Sequence, residues 1–452
     1  MSLLEFITHI MNVKSSDIEE ATTLDQADGS LVIKVRLVSK ISECPICRKL
    51  VNIHGYTKRK ITHSTFVNRE CCIVYMQRRY RCLYCEHTFS ETNPFAMGSA
   101  QISTDTLVNI LKDLKYPETT YLAISKRYNI SPTQVTRIFD KHVNIQRKTL
   151  PEVLSIDEHY FPNSDYGSKY CCLLMDFTTR EMIDILPDRK KDHIVGYFSE
   201  IKRLTTKETS NVSELDNVKY ISIDMYEPYR DIAHIFFPKA KACADSFHVI
   251  KHLTDDFKKV VLRCARSTED DTMIYLLKVF RHVFDHNKDL DNEPKYNRRF
   301  GRYLNYRDIR DIMLDRFPEL KVAYELKEYY INMNSTTLLS DAPDAVDKAI
   351  ELFECCGIDE YDEFYRLINN WREEIVNSFT TINGQRINNS VIESKNRMVE
   401  KLIYNANGFT NFKRTRNRIL YCLNPNDTFT LQIKNDLEKT ESPQFSLNHS
   451  KS

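Results

Sequence analysis

The sequence predicts a multidomain α/β protein, and three observations lead to this prediction. The chain has 452 residues, which is more than one hydrophobic core usually organises. Near the N-terminus, two pairs of cysteines flank strand-forming residues, which indicates a small β module. Farther along, two short apolar strands each end in Ser-Ile-Asp, and a long segment with apolar residues at helical spacing follows them. We therefore expect a β module, a mixed α/β core and an all-α region.

Positive charge is concentrated in one part of a chain that is nearly neutral as a whole. The sequence has 64 Lys and Arg against 63 Asp and Glu, but residues 41–150 have 17 Lys and Arg against 8 Asp and Glu. Such a basic segment is typical of a module that binds a polyanion, although a well-solvated surface can have the same composition. No apolar run reaches the roughly 18–20 residues of a membrane span, and the N-terminus has no secretory signal. We expect a soluble, intracellular protein without a membrane partner.

Four of the 13 cysteines form two C-x-x-C pairs, Cys44 with Cys47 and Cys82 with Cys85. An odd number of cysteines without a secretory signal argues against a disulfide framework. Four thiolates from two such pairs are the ligand set of a closed, tetrahedral zinc site. The residues between the pairs have the composition of strands, so we expect a structural zinc ion and a hairpin between the pairs. Three histidines remain alternative ligands: His54, His63 and His87.

A helix-turn-helix is predicted after the cysteine module. A helix from Thr104 to Lys115 is followed by residues 119–139, whose apolar spacing fits two short helices with Asn129 at the left-handed turn. Ser131 would cap the second helix. The small core of this unit would consist of Leu122, Ala123, Tyr128, Ile130, Val135 and Ile138. The capped helix would present four side chains to a major groove: Thr133, Gln134, Thr136 and Arg137.

Two aspartates are predicted to meet at one edge of the mixed sheet. The strand candidates Val153–Ile156 and Tyr220–Ile223 are followed directly by Asp157 and Asp224. If these strands are neighbours, the two carboxylates lie on the same side of the sheet and repel each other unless cations share them. Carboxylate oxygens suit Mg²⁺, and a pair of such ions can assist phosphodiester chemistry. The alternative is that both aspartates are ordinary capping or turn residues.

Two motifs in the α/β segment carry a family resemblance. Residues 155–161 read Ser-Ile-Asp-Glu-His-Tyr-Phe, and residues 244–249 read Ala-Asp-Ser-Phe-His-Val. They resemble the start of the catalytic domain and the "A-D-x-F-H" segment of DDE transposases, more specifically the ISL-three group of bacterial insertion-sequence transposases. The cysteine pairs and the helix-turn-helix also stand in that family's order. The resemblance implies an RNase H-like core with Asp157 and Asp224 as the first two catalytic acids.

The resemblance also implies a third acid. The family has Ser-Asn-Gly, two residues and Glu, followed by an Asn- and Lys-rich helix that ends before an aromatic-flanked Gly. Residues 388–397 take this place, and Gly408-Phe409 lies at the expected distance beyond them. Glu393 is then the third acid, and it would bind magnesium together with Asp157 and Asp224. Supporting roles around these three acids are expected for Glu158, Asp245 and His248.

With this resemblance, the chain is predicted to divide into seven segments. The all-α region becomes an insertion that interrupts the RNase H-like core. The expected segments are an N-terminal cap or dimer segment at 1–40, a zinc-binding domain at 41–98, the helix-turn-helix at 99–150, the first part of the catalytic core at 151–252, the insertion at 253–380, the last part of the core with the third acid at 381–424, and a polar tail at 425–452.

Three further groups of basic side chains are candidates for contacts with DNA. The first lies beside the second cysteine pair and could bind phosphates: Arg78, Arg79 and Arg81. Residues 295–307 interleave basic and aromatic side chains, which suits phosphate contacts and base stacking but also an exposed helix-loop edge. The third group lies on a helix beyond the third acid: Lys413, Arg414, Arg416 and Arg418.

The predicted function is that of a transposase that binds the terminal inverted repeats of an insertion sequence and then cuts and rejoins DNA. Mg²⁺ or Mn²⁺ would support catalysis, and Zn²⁺ would be structural. The expected partners are double-stranded DNA, at the transposon ends and the target, and a second copy in a homodimer. The expected place is the nucleoid in a bacterial cytoplasm. Two alternatives remain: a zinc and helix-turn-helix regulator without catalysis, and a metal-dependent nuclease without strand transfer.

Overall fold

Fourteen strands and fourteen α-helices are formed by the residues that the structure describes. This structure is a computed structural model, and it describes Thr8 and residues 13–66, 69–161, 168–208, 213–406 and 411–432. The chain divides into two units, which are described separately below. Unit 1 consists of Met1–Ile145, Lys401–Gly408 and Asn417–Ser452, and unit 2 consists of Gln146–Glu400 and Phe409–Arg416. None of the described helices has the length and apolar character needed to cross a membrane.

Unit 1 contains a five-stranded sheet that carries the cysteine pairs. Its strands are β1 (Ile18–Asp25), β2 (Leu31–Leu37), β3 (Val51–Phe66), β4 (Arg69–Cys82) and β5 (Thr88–Ser90). The order is β1-β2-β4-β3, with β5 beside β4. β3 and β4 pair antiparallel from Val51–Cys82 onward, so the hairpin predicted between the cysteine pairs is confirmed. One face of this sheet is apolar and buried, with Ile33, Val35 and Tyr75 at its centre.

The first strands of the chain belong to this same sheet. β1 pairs antiparallel with β2, and β2 pairs parallel with β4 from Leu31–Cys71 to Val35–Tyr75. The part of the predicted cap segment that the structure describes is therefore hydrogen-bonded into the cysteine module. The apolar residues of the predicted amphipathic start, Leu3, Leu4, Ile7, Ile10 and Met11, lie outside the described residues. A role of this segment in dimerisation stays a prediction.

Three helices follow the sheet in unit 1: α1 (Thr104–Asp113), α2 (Tyr121–Tyr128) and α3 (Pro132–His142). Asn129 has φ 47° and ψ 52°, the left-handed conformation that the sequence predicted for the turn. The Ser131 side chain caps α3 by accepting a hydrogen bond from the Gln134 backbone N–H. Two predicted core residues are wrong, because Leu122 and Ala123 are exposed and Ile124 is buried in their place. The buried face of α2 thus consists of Ile124, Ser125 and Tyr128, of which only Tyr128 was predicted.

Unit 2 is built on a second five-stranded sheet. Its strands are β6 (Val153–Tyr160), β7 (Tyr170–Asp176), β8 (Met182–Leu186), β9 (Tyr220–Ile223) and β10 (Lys241–Ala244), in the order β10-β9-β6-β7-β8. β6, β7 and β8 are antiparallel neighbours, whereas β9 runs parallel to both β6 and β10. The accompanying helices are α4 (Lys191–Glu208), α5 (Glu227–Phe236) and α6 (Ser246–Ser267). A mixed α/β fold is therefore confirmed.

Asp157 does not stand at the end of its strand, as the sequence suggested. β6 continues to Tyr160 because its pairing with β7 extends from Leu154–Asp176 to Tyr160–Tyr170. The pairing of β6 with β9, in contrast, covers only Val153 to Ser155. Asp157 therefore lies inside a strand on the β7 side and just beyond the paired stretch on the β9 side. Asp224 directly follows β9, as predicted.

The region predicted as an all-α insertion is mostly helical but contains a small β-hairpin. Its helices are α7 (Asp271–Val279), α8 (Tyr306–Arg316), α9 (Pro318–Thr336), α10 (Ala342–Glu354), α11 (Asp362–Asn370) and α12 (Arg372–Asn377). The hairpin consists of β11 (Lys295–Asn297) and β12 (Arg302–Leu304), so the description as all-α is wrong at this point. Apolar side chains of these helices continue the core of the α/β sheet without a break. Trp371 belongs to this core and is 3% exposed.

The last described elements are a short hairpin and two helices, and each of these helices contributes residues to both units. A two-residue hairpin of β13 (Thr381–Ile382) and β14 (Gln385–Arg386) precedes α13 (Ser390–Asn405), and α14 (Phe412–Leu423) is the last described helix. Glu393 lies in the first turn of α13. The predicted Gly408-Phe409 motif and residues 433–452 of the predicted tail lie outside the described residues.

Candidate active site and metal centres

The four cysteines of unit 1 converge at the open end of the β3–β4 hairpin, where β3 begins and β4 ends. One candidate ligand atom from each of Cys44, Cys47, Cys82 and Cys85 lies within 4.8 Å of all the others. The Sγ atoms of Cys44 and Cys85 are 3.6 Å apart, and those of Cys47 and Cys82 are 3.3 Å apart. Four sulfurs at about 2.3 Å from a central Zn²⁺ would be separated by slightly less than 4 Å. The cluster therefore has the ligand type and the dimensions of a closed zinc site.

The protonation of the thiols also fits a cation at the centre. Backbone N–H groups of Cys85 and Tyr84 point at the sulfur of Cys82 and lower its pKa to about 6. The pKa of Cys85 is raised to about 12: the N–H of His87 acts to lower it, but burial and the three neighbouring thiols outweigh that effect. Without a cation, the four sulfurs cannot all be ionised at neutral pH. A bound metal ion removes that repulsion.

In unit 2, Asp157 and Asp224 occupy equivalent positions on neighbouring parallel strands. Ser155 on β6 is paired with Ser222 on β9. Each aspartate is two residues farther along its chain than its serine, and residues two apart in extended chain point to the same face. Because adjacent strands are about 4.8 Å apart, the carboxyl groups become neighbours. The negative charge of Asp224 accordingly acts to raise the pKa of Asp157.

Asp157 is buried and Asp224 is half-buried, and neither forms an ion pair with another described residue. Burial is the main reason that the pKa of Asp157 is raised to about 7 and that of Asp224 to about 6, and neighbouring carboxylates act in the same direction. Oδ1 of Asp224 is buried and has no hydrogen-bond partner among the described residues. Two adjacent carboxylates with such an unpartnered oxygen fit a divalent cation that prefers oxygen ligands.

Glu393 lies in a second cluster, with Asp245 and His248. One candidate ligand atom from each of these three residues lies within 4.8 Å of the other two. Asp245 is completely buried at the start of α6 and accepts a hydrogen bond of 2.7 Å from Nδ1 of His248. This hydrogen bond is the main cause of the raised pKa of His248. The pKa of Glu393 is raised by burial and by the charge of Asp245.

The three predicted acids do not form one such compact group among the described residues. Instead, His248 connects them electrostatically, because its charge acts on Asp157, Asp224 and Glu393 alike. Glu158 is engaged elsewhere: it forms an ion pair with Arg189, whose guanidinium lies over the rings of neighbouring tyrosines. The charge of Glu158 nevertheless acts to raise the pKa of Asp224.

Two asparagines join the helix of Glu393 to the strand of Asp157, and the sequence reasoning missed both. Asn396, three residues after Glu393 on α13, donates a hydrogen bond of 2.7 Å from its amide to Oδ2 of Asp157. Asn389 is completely buried, donates to the Ile156 carbonyl at 3.2 Å, and has its backbone N–H bonded to Asp245. For Asn396 the signal was present in the sequence, because an asparagine one helical turn from an acid lies on the same face of a helix.

The predicted DNA-contacting residues differ in their accessibility. In unit 1, Arg79, Arg81, Thr133 and Arg137 are exposed, and Gln134 and Thr136 are half-buried. Arg78 contradicts the prediction, since it is 2% exposed and is held by Glu19, Glu91 and the Leu37 carbonyl. It stabilises the sheet and is not available to a phosphate.

The basic group on α14 is divided in the same way. Lys413 is exposed and Arg414 is half-buried. Arg416 contradicts the prediction because it forms an ion pair of 2.5 Å with the buried Asp184. Arg418 also contradicts it, because it is 3% exposed and donates to the Tyr116 and Thr119 carbonyls. Both guanidinium groups serve the packing of the fold.

Comparison with known proteins identifies the family. No curated protein matches the chain. The model of the ISL3 family (the ISL-three group named above), described as Transposase, matches residues 154–419, which is more than half of the chain and includes Asp157, Asp224 and Glu393. The protein therefore belongs to the ISL3 family of DDE transposases.

Proposed function

We propose that this transposase cleaves DNA at the ends of an insertion sequence and joins those ends to target DNA, with Asp157, Asp224 and Glu393 as its catalytic acids. The observation that carries the proposal is the pair of neighbouring aspartates, the buried Asp157 on β6 and the half-buried Asp224 directly after β9. Their raised pKa values and the unpartnered oxygen of Asp224 are unfavourable for an isolated protein. Such an arrangement is understandable if cations and phosphate oxygens complete it. The order of the five strands supports an RNase H-like core.

The residues that would hold Mg²⁺ or Mn²⁺ are the three acids. When bound, a pair of such ions would activate the attacking hydroxyl and stabilise the leaving oxygen of an in-line displacement. The protein's own groups fix the ligands. Asn396 holds one oxygen of Asp157, and the Glu158 backbone N–H holds the other at 2.8 Å. The carboxylate can therefore rotate little, and its remaining lone pairs point in fixed directions.

Asp245 and His248 would position Glu393 at the beginning of α13. Asp245 accepts hydrogen bonds from His248 and from the backbone N–H of Asn389, the residue before α13. Asn389 in turn bonds the main chain of β6 next to Asp157. The start of the helix is thus joined to α6 on one side and to β6 on the other. This arrangement supports a carboxylate at Glu393 whose position is set relative to Asp157.

Recognition of the terminal inverted repeats is proposed for unit 1. The four cysteines would hold a structural Zn²⁺, which fixes the ends of β3 and β4. Arg79 and Arg81 on β4 are exposed next to this site, and Thr133 and Arg137 are exposed at the start of α3. A capped helix with exposed polar residues in its first turns suits the major groove, and exposed arginines suit the phosphates.

Joining two ends in one reaction would require two catalytic sites in one assembly, so we propose a homodimer as the active form. The partners would be double-stranded DNA from the transposon ends and from the target, in the bacterial nucleoid.

A strand-transfer assay tests the proposed function. Full-length protein is incubated with Mg²⁺, a plasmid target and a duplex of the DNA that flanks the coding region. We expect joined products with the parent protein, none with Asp224→Asn, and unchanged joining with Asp255→Asn, which removes an exposed carboxylate on α6. Cleavage without joining would indicate a nuclease. DNA binding without either reaction, or full joining by Asp224→Asn, would contradict the proposal.

A further inference from the structure

A basic β-hairpin in the helical insertion exposes two tyrosines to solvent. We call residues 295–304 the tyrosine hairpin. Its strands β11 and β12 place Tyr296 opposite Tyr303, and the two rings meet edge-on with centroids 5.5 Å apart. The residues are 56% and 68% exposed, so most of this aromatic surface contacts water. A paired aromatic surface in this position indicates a binding site more than a contribution to the core.

The hairpin also carries positive charges that the fold leaves uncompensated. Residues 294–307 contain no Asp or Glu. Lys295, Arg298 and Arg302 are exposed, and their side chains form no hydrogen bond or ion pair within the described part of the chain. Arg299 differs, because it donates to the Asp271 carbonyl and lies 4.4 Å from the centre of the Tyr275 ring. Three free cations around one aromatic pair favour a ligand with several negative charges.

The hairpin is held firmly at its base. Leu304 is 4% exposed and packs into the core of unit 2. Beyond it, Arg307 forms a two-pronged ion pair with Asp291, with N–O distances of 2.8 and 2.7 Å. The Tyr306 backbone N–H is bonded to the side chain of Asn292. A cleft of about 510 Å³ lies beside the hairpin and is lined by Tyr275, Phe280, Tyr296 and Arg298 among others. The aromatic pair therefore has a fixed support and open space next to it.

We propose that the tyrosine hairpin binds unpaired nucleotides of a DNA strand. A base would stack on the Tyr296–Tyr303 pair, and Lys295, Arg298 and Arg302 would contact the flanking phosphates. The faces of bases inside a duplex are covered by their neighbours, so only an unpaired base offers a free face to an aromatic ring. An apolar protein surface would accept the rings but would leave the three cations unpaired. The combination of rings and cations selects single-stranded nucleic acid.

The proposal deepens the proposed function, on which it rests for the identity of the polymer. Cleavage and joining expose unpaired nucleotides at a DNA end, and a site on the catalytic unit could hold them. The hairpin does not include any of the residues to which catalysis is assigned. Its binding can therefore be measured without the reaction, and the two proposals can fail separately.

Fluorescence of a single-stranded probe tests the stacking. The probe is a 12-nucleotide oligo-dT with 2-aminopurine in the middle, added to full-length protein without Mg²⁺ or Mn²⁺. We expect the parent protein and Tyr296→Phe/Tyr303→Phe to bind the probe and quench its fluorescence, because both keep the rings. Tyr296→Leu/Tyr303→Leu keeps apolar side chains without rings, and we expect about tenfold weaker binding and no quenching. Equal binding and quenching by the leucine variant would overturn the proposal.

Salt dependence tests the cations. The plot of log K against log salt for the same probe has a negative slope. Its steepness should decrease by about 1.4 in Arg298→Gln/Arg302→Gln, since each phosphate contact with a single strand contributes about 0.7. The matched control is Lys321→Gln/Lys348→Gln, which removes two exposed cations elsewhere in the insertion. An equal decrease in the steepness of this plot in the control would overturn the assignment of the phosphate contacts to the hairpin. Quenching by a parent protein that cannot join DNA ends would contradict the proposed function but support the hairpin.

Discussion

The cysteine cluster of unit 1 takes its four ligands from two short C-x-x-C turns, whereas the carboxylates of unit 2 come from segments as far apart in sequence as β6 and α13. The first site is complete in itself, since every candidate ligand is a thiol within 4.8 Å of the other three. The second depends on residues that would not touch the metal, above all Asn389, Asn396 and Asp245. A closed site can be judged from its ligands alone, while an open site depends on the groups that hold its ligands in place.

Replacing the third acid should give the largest effect. Glu393→Gln removes one charged oxygen ligand but keeps the size of the side chain. We expect strand transfer to fall on the order of 1000-fold, with DNA binding unchanged. Glu400→Gln on the same helix, where the side chain is exposed, should retain activity. Full strand-transfer activity of Glu393→Gln would contradict the assignment of Glu393 as the third catalytic acid.

Removing a cysteine from the cluster of unit 1 should impair the folding of that unit rather than catalysis alone. Cys47→Ser leaves three thiol ligands, and since structural zinc binding contributes directly to folding, we expect loss of bound zinc and unfolding of unit 1. Binding of the end duplex, the duplex of flanking DNA used in the strand-transfer assay, should weaken about 100-fold. Fluorescence anisotropy measures this binding. The control is Cys355→Ser, an exposed cysteine in unit 2. Retention of stoichiometric zinc or of a normal melting curve by Cys47→Ser would contradict the predicted zinc site.

The role of the supporting groups is tested by Asn396→Ala. This substitution removes the hydrogen bond to Oδ2 of Asp157 and leaves all three acids in place. Loss of such a partner typically costs about 10–100-fold in metal affinity or activity. We expect a higher Mg²⁺ requirement for strand transfer, with partial recovery at high Mg²⁺. Ser394→Ala, an exposed position on the same helix, serves as the control. An unchanged Mg²⁺ dependence would show that Asn396 has no positioning role.

The smallest effect concerns stability and pH. In the metal-free protein, burial raises the pKa of Asp157 to about 7, so the folded state holds this proton more tightly than the unfolded state. The corresponding stability is present at low pH and is lost as the pH rises through about 7. Asp157→Asn avoids this loss. Without Mg²⁺ or Mn²⁺, its melting temperature should exceed that of the parent protein by about 2–4 °C at pH 8 and by less at pH 5. A difference independent of pH would contradict the buried, uncompensated carboxylate.

The sequence predicted the elements of both sites better than their surroundings. The hairpin between the cysteine pairs, the left-handed Asn129, the Ser131 cap and the strand before Asp224 follow from local patterns, and the structure has all of them. The buried face of α2 was predicted only in part, because the short run of polar and apolar residues in this helix fits two neighbouring faces equally well. The position of Asp157 inside β6 depended on pairing with β7, which no local pattern determines.

The errors among the basic residues have a common physical cause. Arg78, Arg416 and Arg418 were assigned to DNA because positive charge on a surface attracts phosphate. In the structure their guanidinium groups are satisfied by carboxylates and carbonyls that are distant in sequence, such as Glu19, Asp184 and Thr119. Such partners cannot be identified from composition. Arg79, Arg137 and Lys413 are exposed and have no such partner among the described residues, so they remain candidates for DNA contacts.

The central claim is that Asp157, Asp224 and Glu393 together hold the catalytic metal ions. Titration with Mn²⁺ tests it most directly, with the free ion followed by its electron paramagnetic resonance signal and the zinc-loaded protein assembled on an end duplex. The account predicts saturable binding by the parent protein and by Asp255→Asn, and strongly reduced binding by Asp157→Asn, Asp224→Asn and Glu393→Gln. Uptake of Mn²⁺ by Asp157→Asn and Asp224→Asn equal to that of the parent protein would contradict it.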